Sequence, residues 1–215
     1  SGMVVSQNNL SSDIGIEILN KGGNAVDAAV AVGFSLAITL PRAGNLGGGG
    51  FMLVYLKEKD EIFYIDYRSK SPLNSSINKI FDIAKNNQIN PKDFTNDMFD
   101  KTRYGYKAPA IPGTVAGLLE AHENFGKLPL EEVLAPAIRQ AKNGIRVSYD
   151  LEKAIDDTHQ LKKDPESLKI YFQNGTAIKE NSLFKRPDLE KTFQLIATSG
   201  KKAFYEGDIA KEMVK

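Results

Sequence analysis

The chain has 215 residues, of which 41% are hydrophobic and 26% charged, a balance typical of a globular protein and not of a disordered one. Lys and Arg number 28 against 27 Asp and Glu, so the net charge of +1 excludes a general electrostatic attraction to nucleic acid or to an anionic membrane. Cysteine is absent, which excludes disulfides, thiolate metal sites and a cysteine nucleophile.

The first elements form a predicted strand and a pair of helices. Residues 3–5 predict a short strand, and Ser11 or Ser12 then caps a helix that ends at Gly22-Gly23. Asn24 is a good N-cap for a second helix over residues 25–38, where the Asp27 carboxylate can reach the free amides of the first turn. Nearly every side of this second helix is small or apolar, so we predict that it is buried all round.

That buried helix is also the longest uncharged apolar stretch in the chain. The stretch covers residues 28–40, which is shorter than the roughly 20 residues needed to cross a bilayer. We therefore predict no membrane span.

A run of four glycines, Gly47 to Gly50, lies between the buried helix and an apolar stretch rich in β-formers. Without side chains, glycines accept positive φ and let another backbone or a ligand approach closely. A phosphate-binding loop needs the opposite order, in which a strand precedes the glycines and a helix follows them. We therefore favour a structural role, in which the glycines let the buried helix and the next strand meet, and we expect no affinity for ATP or NAD.

Two strands over residues 51–56 and 61–67 are predicted to form a hairpin, and Arg68 emerges where the second strand gives way to a proline turn. A guanidinium fixed there can face a cleft and bind a carboxylate with two parallel hydrogen bonds. The alternative is a structural ion pair with Asp66 or another acid.

Residues 75–107 are polar and weakly periodic, which predicts a surface excursion.

The rest of the sequence predicts helices punctuated by glycine and proline. Thr114 caps a helix over residues 115–125, and Pro136 stands at the first position of a helix over residues 136–142. Ser148 caps a helix over residues 149–162, and Pro165 breaks it. The pattern stops within a helix, so we interpret residues 1–215 as an incomplete portion of a single larger domain. The predicted helices cover residues 115–125, 130–135, 136–142, 149–162, 187–199 and 206–215.

No catalytic constellation emerges from the residue pattern. The two histidines, His122 and His159, lie in helical patterns without the spacing of a metal site. The acidic pairs Glu131-Glu132 and Asp156-Asp157 lie on predicted helices, where solvated charge is the default reading. There is no G-x-S-x-G motif, so we identify no serine nucleophile. Together with the histidine spacing, this leaves no candidate nucleophile and no candidate metal site in the sequence.

Six collinear segments resemble the large subunit of bacterial γ-glutamyltransferases. The likeness follows the family's order from residue 2 to about residue 148, and more loosely to the end. The segments are Gly2-Met-Val-Val-Ser6, Leu19-Asn-Lys-Gly-Gly-Asn-Ala-Val-Asp-Ala-Ala29, Gly44-Asn-Leu-Gly-Gly-Gly-Gly-Phe51, Asp66-Tyr-Arg68, Pro112-Gly-Thr-Val-Ala-Gly117 and Leu134-Ala-Pro-Ala-Ile138.

The resemblance implies an α+β fold that is part of an N-terminal-nucleophile hydrolase αββα sandwich, with this segment mostly helical and a few central strands. It implies a precursor that cleaves itself into a large and a small subunit. The N-terminal threonine of the small subunit would attack the γ-glutamyl amide and form an acyl-enzyme, which water or an amino-acid or peptide amine then resolves. This chain alone is then expected to be inactive, to need no cofactor, and to belong to a protein of the periplasm or the medium.

Arg68 matches the family arginine that binds the α-carboxylate of the γ-glutamyl group. The family commonly has an acidic residue directly after that arginine, whereas Ser69 and Lys70 follow it here, a departure that bears on how the guanidinium is held. Three alternatives stay open. Two are enzymes of the same superfamily, a poly-γ-glutamate depolymerase and a cephalosporin acylase, and the third is a noncatalytic ligand-binding or scaffold protein.

Overall fold

The computed structural model describes residues 2–73, 104–105 and 108–214. Its α-helices are α1 Asn9–Asn20, α2 Ala25–Thr39, α3 Thr114–Phe125, α4 Leu130–Asn143, α5 Tyr149–Asp157, α6 Pro165–Tyr171, α7 Pro187–Tyr205 and α8 Asp208–Met213, with a 3₁₀ helix at His159–Lys163. The strands are β1 Phe51–Leu56, β2 Glu61–Asp66, β3 Ile145–Arg146, β4 Phe172–Gln173, β5 Thr176–Ala177 and β6 Leu183–Phe184.

Helix α2 is the centre of the core. Asn24 caps it by accepting hydrogen bonds from the amides of Val26 and Asp27, and the Asp27 carboxylate accepts from the Asn24 amide in return. Helices α1, α3 and α4 all pack against it, so its buried residues are spread over every side of the helix. The predicted cap and the all-round burial are both confirmed.

Helix α7 completes the core by packing against α4 and α2. It packs along α4, and the Phe193 ring meets the Phe34 ring of α2 edge to face with 5.5 Å between centroids. Both phenylalanines are completely buried. Burying a side chain of this size stabilises the fold by roughly 1.5–3 kcal/mol relative to its exposure.

A buried hydroxyl cluster joins three helices of the core. The Ser11 hydroxyl lies 2.8 Å from those of both Ser35 and Thr39, and Ser35 donates to the Gln140 side chain over 2.7 Å. The prediction that Ser11 or Ser12 caps α1 is therefore wrong. Asn8 caps the helix instead, accepting from the Leu10 amide, because the chain enters the helix one turn earlier.

Strands β1 and β2 form an antiparallel hairpin in which Phe51 faces Asp66 and Leu56 faces Glu61. The hairpin is confirmed, and its second strand ends one residue earlier than predicted. The predicted strand at residues 3–5 is wrong: this stretch forms no strand and has no strand partner in the described part of the molecule. Its one partly buried residue, Val4, packs against the core without any sheet pairing.

Two helix boundaries around α3 and α4 differ from the prediction. Gly113 stands at the N-cap of α3, while the Thr114 hydroxyl donates to the Asn45 carbonyl oxygen. The two helical turns predicted on either side of Pro136 are one continuous helix. The only bond the proline removes is the one to the carbonyl of Glu132, an exposed residue where water can bind instead.

The helices beyond residue 148 are shorter or differently joined than predicted. Ser148 caps α5 as expected, but α5 ends at Asp157 and a 3₁₀ helix follows. Pro165 begins α6 at its first position, with Asp164 as the cap. Helix α7 continues past residue 199 through a kink at Gly200, which has φ 60° and ψ −147°.

The surface excursion predicted for residues 75–107 lies outside the described residues, apart from 104–105, and stays a prediction. Across the described ranges, we find no helix that combines the length and the apolar character needed to traverse a bilayer.

Candidate functional site

Arg68 lies exposed at the end of β2, with its guanidinium carbon 5.7 Å from the centroid of the Phe51 ring. The Asp66 carboxylate accepts a hydrogen bond from the backbone amide of Arg68 over 2.9 Å. No ion pair joins the guanidinium to a carboxylate within residues 2–73, 104–105 and 108–214. Among these residues the structural ion pair considered from sequence does not form, and none of them accepts a hydrogen bond from the guanidinium.

A cleft of about 840 Å³ opens beside Arg68. Its walls are β2 and the chain that follows it, the turn at residues 111–113, and one face of α3. The Glu120 carboxylate in this wall accepts hydrogen bonds from Lys201 and Asn124. Arg68 and Lys70 are the cations at the end of the strand, so this part of the cleft suits an anionic group.

The Tyr67 ring lies in the wall of this cleft and is enclosed by glycines. A side-chain carbon at Gly117 would overlap the ring, and one at Gly113 would overlap the Tyr67 carbonyl oxygen. A carbon at Gly50 would come within 2.8 Å of the ring. Only glycine allows these three segments to approach so closely, and the packing fixes the residue next to Arg68.

The role predicted for the glycine run needs a correction. Gly49 and Gly50 do permit a close backbone approach, but the approach is to residues 67–69 and not to the buried helix. Gly44 is the glycine that abuts helix α2, at Leu36. None of the four glycines has positive φ, so the run serves close packing and not a left-handed turn.

Backbone hydrogen bonds join the same segments. Gly50 and Tyr67 exchange both of their amide-to-carbonyl bonds, and so do Lys70 and Ile111. The amides of Gly113 and Thr114 both donate to the Gly48 carbonyl oxygen, at 2.8 and 3.1 Å. Arg68 therefore stands in a stretch of backbone that is held from both sides.

The histidines and acidic pairs take no part in the cleft. His122 donates from Nε2 to the Leu128 carbonyl oxygen, and His159 is exposed. The acidic pairs at 131–132 and 156–157 are exposed on helices, as expected. Within the described ranges no three His, Cys, Asp or Glu side chains gather as a metal site requires.

Sequence reasoning missed the residues that support Arg68. The motif Pro112-Gly-Thr-Val-Ala-Gly117 stood out, but nothing in it shows that its glycines pack on Tyr67. Tyr205, whose hydroxyl contacts the same turn, carries no local signal at all.

Comparison with known proteins connects this geometry to a family. The family model described as Gamma-glutamyltranspeptidase matches residues 11–215. The chain is 38% identical over 213 residues to the glutathione hydrolase proenzyme of Pseudomonas aeruginosa, covering 99% of this chain and 36% of that protein. It is 36% identical over 216 residues to the glutathione hydrolase proenzyme of Escherichia coli, covering 100% of this chain and 35% of that protein.

Solved structures agree with the sequence relatives. The γ-glutamyltranspeptidase of Helicobacter pylori superposes with a TM-score of 0.88 at 35% identity, covering 99% of this chain and 58% of that one. The transpeptidase CapD of Bacillus anthracis superposes with a TM-score of 0.78 at 30% identity, covering 99% of this chain and 63% of that one.

These matches confirm an α+β fold that is part of the N-terminal-nucleophile hydrolase architecture. The chain spans about a third of the length of the curated relatives that it matches. Since the family model covers nearly all of it, the chain belongs to the γ-glutamyltranspeptidase family.

Proposed function

We propose that the whole protein hydrolyses and transfers γ-glutamyl groups from glutathione and other γ-glutamyl amides, and that this chain supplies part of the donor site. The observation that carries the proposal is Arg68, a cation on a fixed backbone at the mouth of a cleft, in a chain whose relatives are named glutathione hydrolase proenzyme.

Arg68 is proposed to bind the α-carboxylate of the γ-glutamyl group. Its fork of donors matches a carboxylate with two parallel hydrogen bonds. The Phe51 ring supports the guanidinium from one side, while the Asp66 carboxylate accepts a hydrogen bond from the Arg68 amide and makes no ion pair with the guanidinium. Anchoring this end of the donor places the γ-amide at a defined distance from the chemistry.

The nucleophile is proposed to come from the part of the precursor outside this chain. An N-terminal threonine would attack the γ-carbonyl carbon with its hydroxyl oxygen while its own amine accepts the proton. The amine of the donor leaves with a proton, and an ester joins the glutamyl group to the enzyme. Water or an acceptor amine then attacks the ester and restores the threonine hydroxyl.

The exposed face of the hairpin is proposed to pack against that small subunit. Five apolar or aromatic residues lie on this face and are each at least half exposed: Phe51, Leu53, Tyr55, Ile62 and Tyr64. The hairpin forms a sheet of only two strands in the described part of the chain, and such a sheet is marginal without further strands or a covering layer. The word proenzyme in the relatives' names supports a processed precursor.

Release of p-nitroaniline from γ-glutamyl-p-nitroanilide by the processed full-length protein tests the proposal. We expect Arg68→Ala to lower kcat/KM on the order of a hundredfold, because the carboxylate loses a charged partner. Arg68→Lys should recover little of this loss, since an ammonium lacks the planar fork.

The matched control is Arg42→Ala, which removes an exposed arginine outside the cleft and should leave the rates unchanged. All variants must show two subunits on a denaturing gel, so that failed processing is not read as failed binding. A processed wild type inert towards glutathione and other small γ-glutamyl amides would overturn the proposal, and turnover of poly-γ-glutamate or of an acylated β-lactam would then identify the alternative enzymes. Export to the periplasm or the medium stays a prediction, which fractionation of producing cells tests.

A further inference from the structure

The hydroxyl of Tyr205 makes two hydrogen bonds to one turn far away in the chain. It donates to the Pro112 carbonyl oxygen over 2.9 Å and accepts from the Ala116 amide over 3.0 Å. Burial raises the pKa of this phenol, so the hydroxyl keeps its proton near neutral pH and can act as donor and acceptor together.

The turn that Tyr205 holds is the one that encloses Tyr67. Between its two contact points lies Gly113, whose amide donates to Gly48 and whose backbone abuts the Tyr67 carbonyl. Just before them, Ile111 pairs with Lys70, and just after them Gly117 packs on the Tyr67 ring. The hydroxyl therefore fixes the piece of backbone that contacts Tyr67 and Lys70, one on each side of Arg68.

Tyr205 is itself held in place by the second half of α7. After the kink at Gly200, residues 201–205 run beside α3. The Lys201 ammonium binds the carboxylates of Glu120 and Glu123 at 2.9 and 2.8 Å, and the buried Phe204 ring lies 5.1 Å from that of Tyr205. One end of this segment is anchored by charge and the other by packing, which leaves the Tyr205 hydroxyl little freedom.

We infer that Tyr205 is a positioning residue for Arg68. By holding residues 112–116 in place, Tyr205 sets the affinity of Arg68 for the γ-glutamyl α-carboxylate without itself touching the substrate. The inference rests on the proposed function of Arg68. A loosened turn would let residues 67–69 shift, and a bidentate bond to a carboxylate tolerates only small displacements of the guanidinium.

The test compares Tyr205→Phe with Tyr171→Phe in the processed full-length protein. Tyr171 is a fair control because its hydroxyl also accepts a hydrogen bond, from Arg186 over 3.3 Å, and lies outside the cleft. We expect Tyr205→Phe to raise the donor KM roughly five- to tenfold with kcat within about twofold. Tyr171→Phe should lower the melting temperature while leaving KM unchanged.

A double-mutant cycle separates positioning from general destabilisation. In an Arg68→Ala background, Tyr205→Phe should cause no further loss of kcat/KM, because the group that it positions is gone. Additive losses, or an unchanged KM in the single variant, would overturn the inference.

Amide hydrogen exchange provides a readout that does not depend on turnover. Residues 67–69 and 111–117 should exchange faster in Tyr205→Phe than in Tyr171→Phe. Wild-type protection in both segments would overturn the inference even if the protein acts on no γ-glutamyl donor. A wild type inert on every donor, with the exchange difference present, would count against the proposed function and not against the positioning.

Discussion

The carboxylate of Asp27 accepts hydrogen bonds from the backbone amide of Lys127, 100 residues further along the chain, at 3.0 and 3.1 Å. It also accepts from the amides of Asn24 and Leu128, at 2.9 and 3.3 Å. The side chain is completely buried, its hydrogen bonds come from backbone amides, and the Nε2 atom of His122 lies 3.8 Å from its Oδ1 atom. One residue thus caps α2 and fixes the connection between α3 and α4.

Asp27→Ala should destabilise the full-length protein by about 3 kcal/mol, because three backbone amides lose a completely buried, charged acceptor. Urea unfolding followed by circular dichroism measures the change. Asp150→Ala, which removes an exposed acid from the first turn of α5, serves as the control and should cost at most about 1 kcal/mol. Equal losses in the two variants would contradict the assigned role of Asp27.

Gly117→Ala should destabilise the protein by about 1–3 kcal/mol, because the new methyl group would overlap the Tyr67 ring. Gly48→Ala is the matched control, since its nearest neighbour would lie at an ordinary 3.5 Å and its φ is not positive. Thermal unfolding should show a lower midpoint for Gly117→Ala alone. If Gly117→Ala melts with the wild type, the enclosed position of Tyr67 is wrong.

Ser11→Ala should cost about 1–2 kcal/mol, because the buried hydroxyls of Ser35 and Thr39 lose a shared partner. Ser199→Ala removes an exposed hydroxyl from α7 and should change the free energy of unfolding by less than about 0.5 kcal/mol. Chemical denaturation at neutral pH compares the two. A Ser11 variant as stable as the Ser199 variant would show that the cluster contributes no net stability.

Asp188→Asn should destabilise the protein at neutral pH, and the difference from the wild type should shrink in acid. Burial alone would raise the pKa of the Asp188 carboxyl, but the hydrogen bonds and charge of Arg186 outweigh burial and hold the pKa below its ordinary value. A carboxyl with a depressed pKa stabilises the folded state above its ordinary pKa and loses this contribution as pH falls through the folded value.

Unfolding free energies of the wild type and the Asp188→Asn variant should therefore differ by a constant amount from neutral pH down to the ordinary aspartate range, near 3.8, and converge below it. A difference that is unaltered on acidification would argue that the Arg186 contact is not an ion pair in solution.

The parts of the fold that were predictable depend on neighbours in sequence. The cap formed by Asn24 and Asp27 lies within one helical turn, and the burial of α2 follows from its own composition. The first turn of α1 shows the limit of such reasoning. Ser11 has the chemistry of a cap, but its partners Ser35 and Thr39 lie on another helix, so its burial has no local signature.

The candidate site divides in the same way. Arg68 was predictable because a strand end and a proline turn flank it in the sequence. Its supports were not, because Gly117 and Tyr205 reach Tyr67 and Pro112 only after several helices have packed. The sequence predicts a helix that ends at residue 199, but the helix resumes after Gly200, where Lys201 binds its acidic partners on α3.

The backbone pair between Lys70 and Ile111 joins two points of the chain that are distant in sequence. This pair ties the chain that follows Arg68 to the chain that leads into α3 through main-chain hydrogen bonds alone. Such bonds do not depend on which side chains stand at the two positions. Both side chains line the cleft, so substitutions at Lys70 and Ile111 can change the charge and shape of its wall while the backbone around Arg68 stays in place.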